Sequence, residues 1–258
     1  MNNLKALTLY EDRNTFIHHV HPINKLIYIF IIIVVPLILP LFPVLIAGII
    51  MNTVLLLIAN VFKKSLPIFG FVLLILLTVL IIQGLFHAEN ATPLFHLGPL
   101  LFYKEGFFYA LQITLRVLNI VAAFMILVLT TKPSDLVETL VRKGLSPKIG
   151  YVLQSVFQII PQMLSTMETI SDAQRSRGME TEGNLFVRIK AFLPLLGPVV
   201  LNSLIQTRER AMALEVRGFS SLRHKTFLNE VKNYRYTTFI QFTLWLVLLA
   251  AIIWRVVL

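Results

Sequence analysis

From Leu26 to Phe62 the chain is almost uninterruptedly apolar. As one helix at 1.5 Å per residue this run would extend roughly 55 Å, whereas a bilayer core needs only about 20 residues. Pro36, Pro40 and Pro43 fall where a break divides the run into two shorter helices with a tight outer turn, the second closed by Lys63 and Lys64. Leu66 to Phe86 gives a third span, Phe107 to Thr130 a fourth and Tyr236 to Leu258 a fifth.

Between Lys132 and Arg235 the pattern changes. No period-two alternation and no Gly/Ser linker interrupts these residues, which read as helical throughout. Leu153, Val156, Ile160, Met163, Met167 and Ile170 recur at spacings of three and four, the seam of an amphipathic helix packed on a neighbour, and Gly178 ends it. The apolar patch AFLPLLGPVVL, residues 191–201, is too short to cross a bilayer and is expected to be buried or interfacial. From Pro198 a further helix runs to Arg217, and Gly218 stops it. The expected fold is all-α: a polytopic membrane protein with about five transmembrane helices and a cytoplasmic region of amphipathic helices. Its organisation is a membrane region 1–131, a cytoplasmic region 132–235 and a C-terminal span 236–258.

Composition agrees with a lipid solvent: 57% of the residues are hydrophobic, 14% are charged, and the mean hydropathy is +0.79. The net charge of +10 would suggest nucleic acid on a soluble chain, but here its distribution decides the reading. Lys5, Arg13, Lys25, Lys63, Lys64 and the fifteen basic residues of 132–235 lie on one side of the proposed spans, while the loop from His87 to Lys104 holds only Lys104. The positive-inside rule then places the N-terminus in the cytoplasm and the C-terminal Arg255 near the outer face of the cell membrane. The first 25 residues are polar and lack the apolar stretch of a cleavable signal, so the first span is expected to act as its own insertion signal.

Candidate chemistry is sparse. The chain has no cysteine, which excludes disulfides, thiol nucleophiles and cysteine-ligated metals. GMETEGN, residues 178–184, has the glycine spacing of a phosphate loop without the Lys and Ser/Thr that must follow, so the chain is not expected to hydrolyse ATP. There is no Gly-x-Ser-x-Gly elbow and no His-Glu-x-x-His pair, and the acidic residues are scattered. His18, His19 and His21 have no carboxylate in a ligand pattern, and His87, His96 and Glu89 are no better placed, so neither a metal nor a cofactor is expected. Arg116 is an intramembrane charge that should face the bundle interior or a polar cavity, either capping carbonyls or bonding Gln112 or Asn119.

Two basic helix ends stand out. Ser176-Arg177-Gly178 and Val216-Arg217-Gly218 both close amphipathic segments, followed by Met179 and Phe219 respectively. Glycine just past a helix end and arginine near the negative end of the helix dipole are common for purely local reasons. Two such ends on one side of the membrane also offer two guanidinium forks, each beside an apolar residue, suited to an acidic groove on a partner.

Four segments in order resemble the transmembrane T component of energy-coupling factor transporters, ABC-type importers of vitamins and transition-metal ions. HPINKL (residues 21–26) is similar to the element before the first span, and TTKPSDLVETL (130–140) to the Thr-Thr segment that follows a span. IPQMLSTMETISDAQRSRG (160–178) and RERAMALEVRGF (208–219) are similar to the two signature helices. The chain departs in carrying Val216 where the second signature more often has Ala. The resemblance implies that Arg177 and Arg217 insert into two cytoplasmic ABC ATPase subunits, with Ser176, Gly178, Val216 and Gly218 completing the coupling ends and Ala173, Arg175, Arg210 and Phe219 as secondary candidates. It also implies that the apolar faces of the cytoplasmic helices hold a membrane-embedded, substrate-binding S component, and that the chain has no catalytic role of its own. A membrane enzyme acting on anionic lipid, or a secondary carrier, would need an acidic or nucleophilic cluster or an internal repeat that the sequence does not display.

Overall fold

The computed structural model describes residues 10–11, 13, 15–87, 92–97, 100–178, 184–221 and 236–257, with only the backbone described at 95–97, 100 and 185–193. These residues belong to two compact units. One comprises Thr8–Leu140 with Lys232–Leu258, and the other is formed around Val141–Val231.

In the first unit the long apolar run breaks where its prolines stand. Helix α1 spans Pro22–Ile38 and α2 spans Phe42–Ile58, with a Pro at the start of each. His21 caps α1 by accepting the Ile23 N–H at 3.3 Å. A turn at Asn60, with φ +57, leads directly into α3, Phe62–Phe86. Lys63 and Lys64 therefore open α3 rather than close α2, because Asn60 can take the left-handed conformation and end the second helix first. An antiparallel hairpin, β1 Pro93–Leu97 and β2 Leu100–Tyr103, occupies what the sequence suggested was only a loop. Helix α4 follows at Lys104–Thr130, then the short α5, Pro133–Arg142, and the terminal α8, Thr237–Val257.

By length and hydropathy α3, α4 and α8 can each cross a bilayer, while α1 and α2 are shorter apolar helices of 17 residues. The architecture is all-α and polytopic. Helix α4 is its hub, packing on α1, α2 and α3, while α1 also packs on α8. Ile29, Ile31, Leu56, Ala122, Ala123, Ile126, Leu129 and Leu248 are part of the buried core.

Lipid tails are as apolar as these side chains, so burial alone selects no partner, and buried polar groups fix the packing instead. Tyr28 donates to Asn52 Oδ1 at 2.7 Å, Asn52 donates to Asn119 Oδ1 at 3.0 Å, and Asn119 donates to the Leu45 carbonyl at 2.9 Å. This chain of bonds pins α1 to α2 and α4. At the turn between α1 and α2, Pro40 has no N–H to give the helix, so carbonyls near the end of α1 need other donors. Gln112 donates to the Pro40 carbonyl at 2.6 Å and Arg116 to the Pro36 carbonyl at 3.3 Å, one helical turn apart on α4.

In the second unit α6 spans Pro147–Ser176 and α7 spans Leu185–Val216. AFLPLLGPVVL is not a separate patch, because α7 continues through it. Pro194 and Pro198 lie one turn apart, which places both interruptions of the helix ladder on one face and leaves the others intact.

Candidate functional site

The two arginine-glycine ends have the geometry that glycine permits and other residues resist. Gly178 has φ +88 and Gly218 has φ +70, with open space around each position. At the end of α7, Phe219 N–H reaches the Leu214 carbonyl at 3.0 Å and Gly218 N–H the Glu215 carbonyl at 2.9 Å. This pair of bonds is a Schellman turn, which satisfies carbonyls that the helix leaves open. At the end of α6, Gly178 N–H bonds the Arg175 carbonyl at 2.9 Å and Arg177 N–H the Gln174 carbonyl at 3.0 Å. The residue after it, Met179, lies outside the described residues.

Each turn presents its arginine to solvent. Arg177 and Arg217 are exposed, and neither guanidinium has a partner among the described residues. Ser176 closes α6 and donates to the Asp172 carbonyl at 3.1 Å, while Ala173 and Arg175 are exposed on the preceding turn. Val216 is 90% exposed, an unusual position for a β-branched apolar residue. Phe219 turns inward, its ring 5.3 Å from that of Tyr151 near the start of α6. Arg210 lies further back on α7, half-buried, and donates to Gln162 Oε1 at 2.5 Å. Gln162 in turn donates to Gln206 Oε1 at 2.6 Å.

These contacts show that α6 and α7 run antiparallel, since Tyr151 meets Phe219 while Gln162 meets Gln206. The two tips consequently lie at opposite ends of the pair. Arg177 is about 22 Å of helix beyond Gln162, and Arg217 about 16 Å beyond Gln206 in the other direction.

The seam expected on α6 meets α7 only in part. Leu153, Val156 and Ile160 are exposed, together with Ile149, Val152 and Phe157. The face turned to α7 is instead the one bearing Tyr151, Ile159, Gln162, Met163 and Thr166, and on α7 it is met by Asn202, Ser203, Gln206 and Arg210. The first half of the expected stripe is thus left open, whereas Met163 lines the contact with α7 and Met167 and Ile170 are half-buried. Leu201, Leu204, Ile205 and Met212 of α7 are likewise exposed.

The structure joins the other two motif segments within the first unit. Lys25 of HPINKL is 5% exposed, and its ammonium donates to the Thr130 carbonyl at 3.0 Å and to the Thr130 and Thr131 hydroxyls, each at 2.9 Å. Three donors meet three oxygens, so the buried charge is fully hydrogen-bonded. Nearby, Glu11 bridges Lys64 at 2.6 Å and Arg13 at 2.8 Å. The Lys64 hydrogen bond, opposed by burial and aided by the charges of Lys64 and Arg13, holds the Glu11 carboxyl below its ordinary 4.5.

Arg116 takes the carbonyl-capping role, through Pro36, and makes no bond to Gln112 or Asn119. His18 is bonded to Thr15 Oγ1 at 2.7 Å and to the Glu11 carbonyl at 2.9 Å, so it braces the chain ahead of α1. The loop 179–183, Glu89 and the His96 side chain lie outside what is described. Lys25, Asn52, Gln162 and Gln206 were not singled out from the sequence. The first two are detectable there as single polar residues at the edge of, or inside, an apolar run, where an unpaired polar group is costly.

Fold and site together define a polytopic α-helical membrane subunit with two arginine-tipped helix ends. A family model described as CbiQ, cobalt transport protein, matches residues 13–228. The energy-coupling factor transporter transmembrane protein EcfT of Staphylococcus aureus (strain 04-02981) is 28% identical over 249 residues, 90% of each chain. The protein of that name from Clostridium kluyveri is 29% identical over 247 residues, 89% of each chain. The counterpart from Leuconostoc gelidum is 36% identical over 171 residues, 62% of this chain and 61% of that one. The chain belongs to the CbiQ family, as a transmembrane T component of energy-coupling factor transporters.

Proposed function

We propose that the chain couples two cytoplasmic ABC ATPase subunits to a membrane-embedded S component that binds the substrate, a vitamin or a transition-metal ion. The observation that carries this reading is the pair of tips: two exposed arginines without a partner among the described residues, each followed by a left-handed glycine, at opposite ends of one antiparallel helix pair. Two separated ends suit two equivalent grooves better than a single groove. An exposed arginine can offer its fork of donors to a carboxylate on another chain.

In this reading residues 132–235 lie in the cytoplasm, the N-terminus is inside and the C-terminus outside, as the basic asymmetry requires. Closing of the ATPases moves Arg177 and Arg217 with the turns that carry them. The exposed apolar faces of α6 and α7 receive the S component and pass the motion on. ATP is hydrolysed by the partners, and this chain supplies mechanical linkage through contacts that differ between two states.

The test is co-purification of the tagged chain in mild detergent, native against Arg177→Glu/Arg217→Glu. Two ATPases and a small hydrophobic protein should accompany the native chain, and the ATPases should be lost from the double variant while it stays monodisperse. Retention of both ATPases and of uptake by the variant refutes the assignment.

A further inference from the structure

The contact between α6 and α7 carries a polar cluster that two amphipathic helices do not need. Gln162, Thr166, Asn202, Ser203, Gln206 and Arg210, together with the apolar Ile159 and Met163, line a space of about 10 Å³, room for roughly one water. Much apolar surface of both helices is meanwhile exposed, Leu153, Val156 and Ile160 on α6 and Leu201, Leu204 and Ile205 on α7. Helices usually bury the apolar stripe against each other and leave the polar face to solvent. Here polar side chains share the contact.

A polar contact behaves differently from an apolar one. Apolar side chains tolerate sliding, because one methyl group replaces another at little cost. Amide-to-amide and guanidinium-to-amide bonds are made in one register only, and a shift by one residue leaves groups unpaired. Each bond adds modestly to net stability, so such a contact specifies alignment more than strength, as a buried Asn does in a coiled coil. Gln162 is the centre of the arrangement. Its carbonyl oxygen accepts from Arg210 and its amide nitrogen donates to Gln206, so one side chain is tied to two successive turns of α7.

We propose that Gln162, Gln206 and Arg210 are positioning residues that lock the register of α6 on α7 and thereby set the separation of the two arginine tips. This rests on the reading of the tips as coupling ends. A slip of α6 along α7 moves Arg177 relative to Arg217 by about 1.5 Å per residue, and arms of about 22 and 16 Å magnify any change of crossing angle that accompanies it. The polar clamp also leaves the exposed apolar surface available to a partner in the membrane. Pairing the helices through that surface would consume it.

The chain contains no cysteine, so cysteines replacing the exposed Asp172 and Glu215, on the helices just ahead of the two tips, provide the sole label sites for a pulsed electron-spin distance measurement. The labelled full chain should give one narrow distance. Gln162→Leu and Arg210→Met should each broaden it to several distances. In reconstituted complexes Gln162→Leu should retain both ATPases and their hydrolysis, while uptake per ATP hydrolysed falls roughly five-fold, the population change expected for about one net hydrogen bond. Arg210→Lys, which can still reach the Gln162 carbonyl, should keep the distribution largely narrow. An unchanged distance distribution in both Gln162→Leu and Arg210→Met, with an unchanged ratio in Gln162→Leu, overturns the proposal. Failure of the tip reading looks different, since the ATPases would then be absent from the native complex while the distance broadening persists in the isolated chain.

Discussion

Gly48 of α2 packs against Asn119 of α4, and adding one methyl group there tests the polar network of the membrane unit. A Cβ at position 48 would lie 2.6 Å from Asn119 Oδ1 and 3.2 Å from its Cγ. The amide cannot swing away freely. Its nitrogen donates to the Leu45 and Leu115 carbonyls at 2.9 and 3.0 Å, its oxygen accepts from Asn52 at 3.0 Å, and Asn119 is 1% exposed. Relieving the clash costs about 1–3 kcal/mol, whether as overpacking or as a buried hydrogen bond broken. Alanine returns about 1 kcal/mol, because glycine is a poor helix former. The expected net change is a loss of up to about 2 kcal/mol, or a Tm lower by up to roughly 8 °C for a chain of this size. Thermal unfolding in detergent, followed by loss of the monodisperse peak, measures it. The sign is the discriminating quantity, since propensity alone predicts stabilisation. In an Asn119→Ala background the clash disappears, and Gly48→Ala should become neutral or slightly stabilising. A higher Tm for Gly48→Ala in the native background, or the same shift in both backgrounds, would refute the reasoning.

Lys25→Met should lower Tm by the equivalent of roughly 2–3 kcal/mol, because the Thr130 carbonyl loses a charged donor in a buried position. Lys25→Arg should not rescue it, since a planar fork does not fit three oxygens gathered around one ammonium. Glu11→Gln should lower Tm at neutral pH through loss of the Lys64 and Arg13 bridges. The Glu11 pKa is depressed in the folded chain, so its contribution is fully present above the ordinary 4.5 and fades as pH falls through the lower folded value; the Tm gap between native and variant should close in that acid window. Gly218→Val should strain the Schellman turn, at a cost of about 1–2 kcal/mol for a left-handed β-branched residue. Co-purification of the ATPases should weaken while overall Tm changes little, because the strain is confined to an exposed helix end.

The extent and nature of the lipid-soluble chain were legible in the residues. Apolar runs are a local property, and prolines break helices wherever they fall, so the division of the first run at Pro36–Pro43 appears in the structure where the pattern put it. The arginine-glycine ends were equally legible, because a left-handed helix terminus is a local conformation that glycine alone adopts without strain. The boundary at Asn60 and the hairpin at 93–103 were not, since the first depends on one residue with positive φ and the second on pairing between strands.

What periodicity could not decide was which face of α6 meets α7. An apolar stripe shows that a helix has something to cover but carries no information about what covers it, and in this chain the partner helix meets a mixed face in which Gln162 and Thr166 stand beside Ile159 and Met163. The same limit hid the roles of Lys25, Asn52, Gln162 and Gln206. A polar side chain in an apolar run announces a cost, but the groups that offset it come from far along the chain: Thr130 for Lys25, Asn119 for Asn52, Gln206 and Arg210 for Gln162. Local composition determined that this protein dissolves in lipid and where the proline breaks and the arginine-glycine ends fall. Only the tertiary structure, by bringing distant donors to particular acceptors, decided how those helices are held and which surfaces remain open.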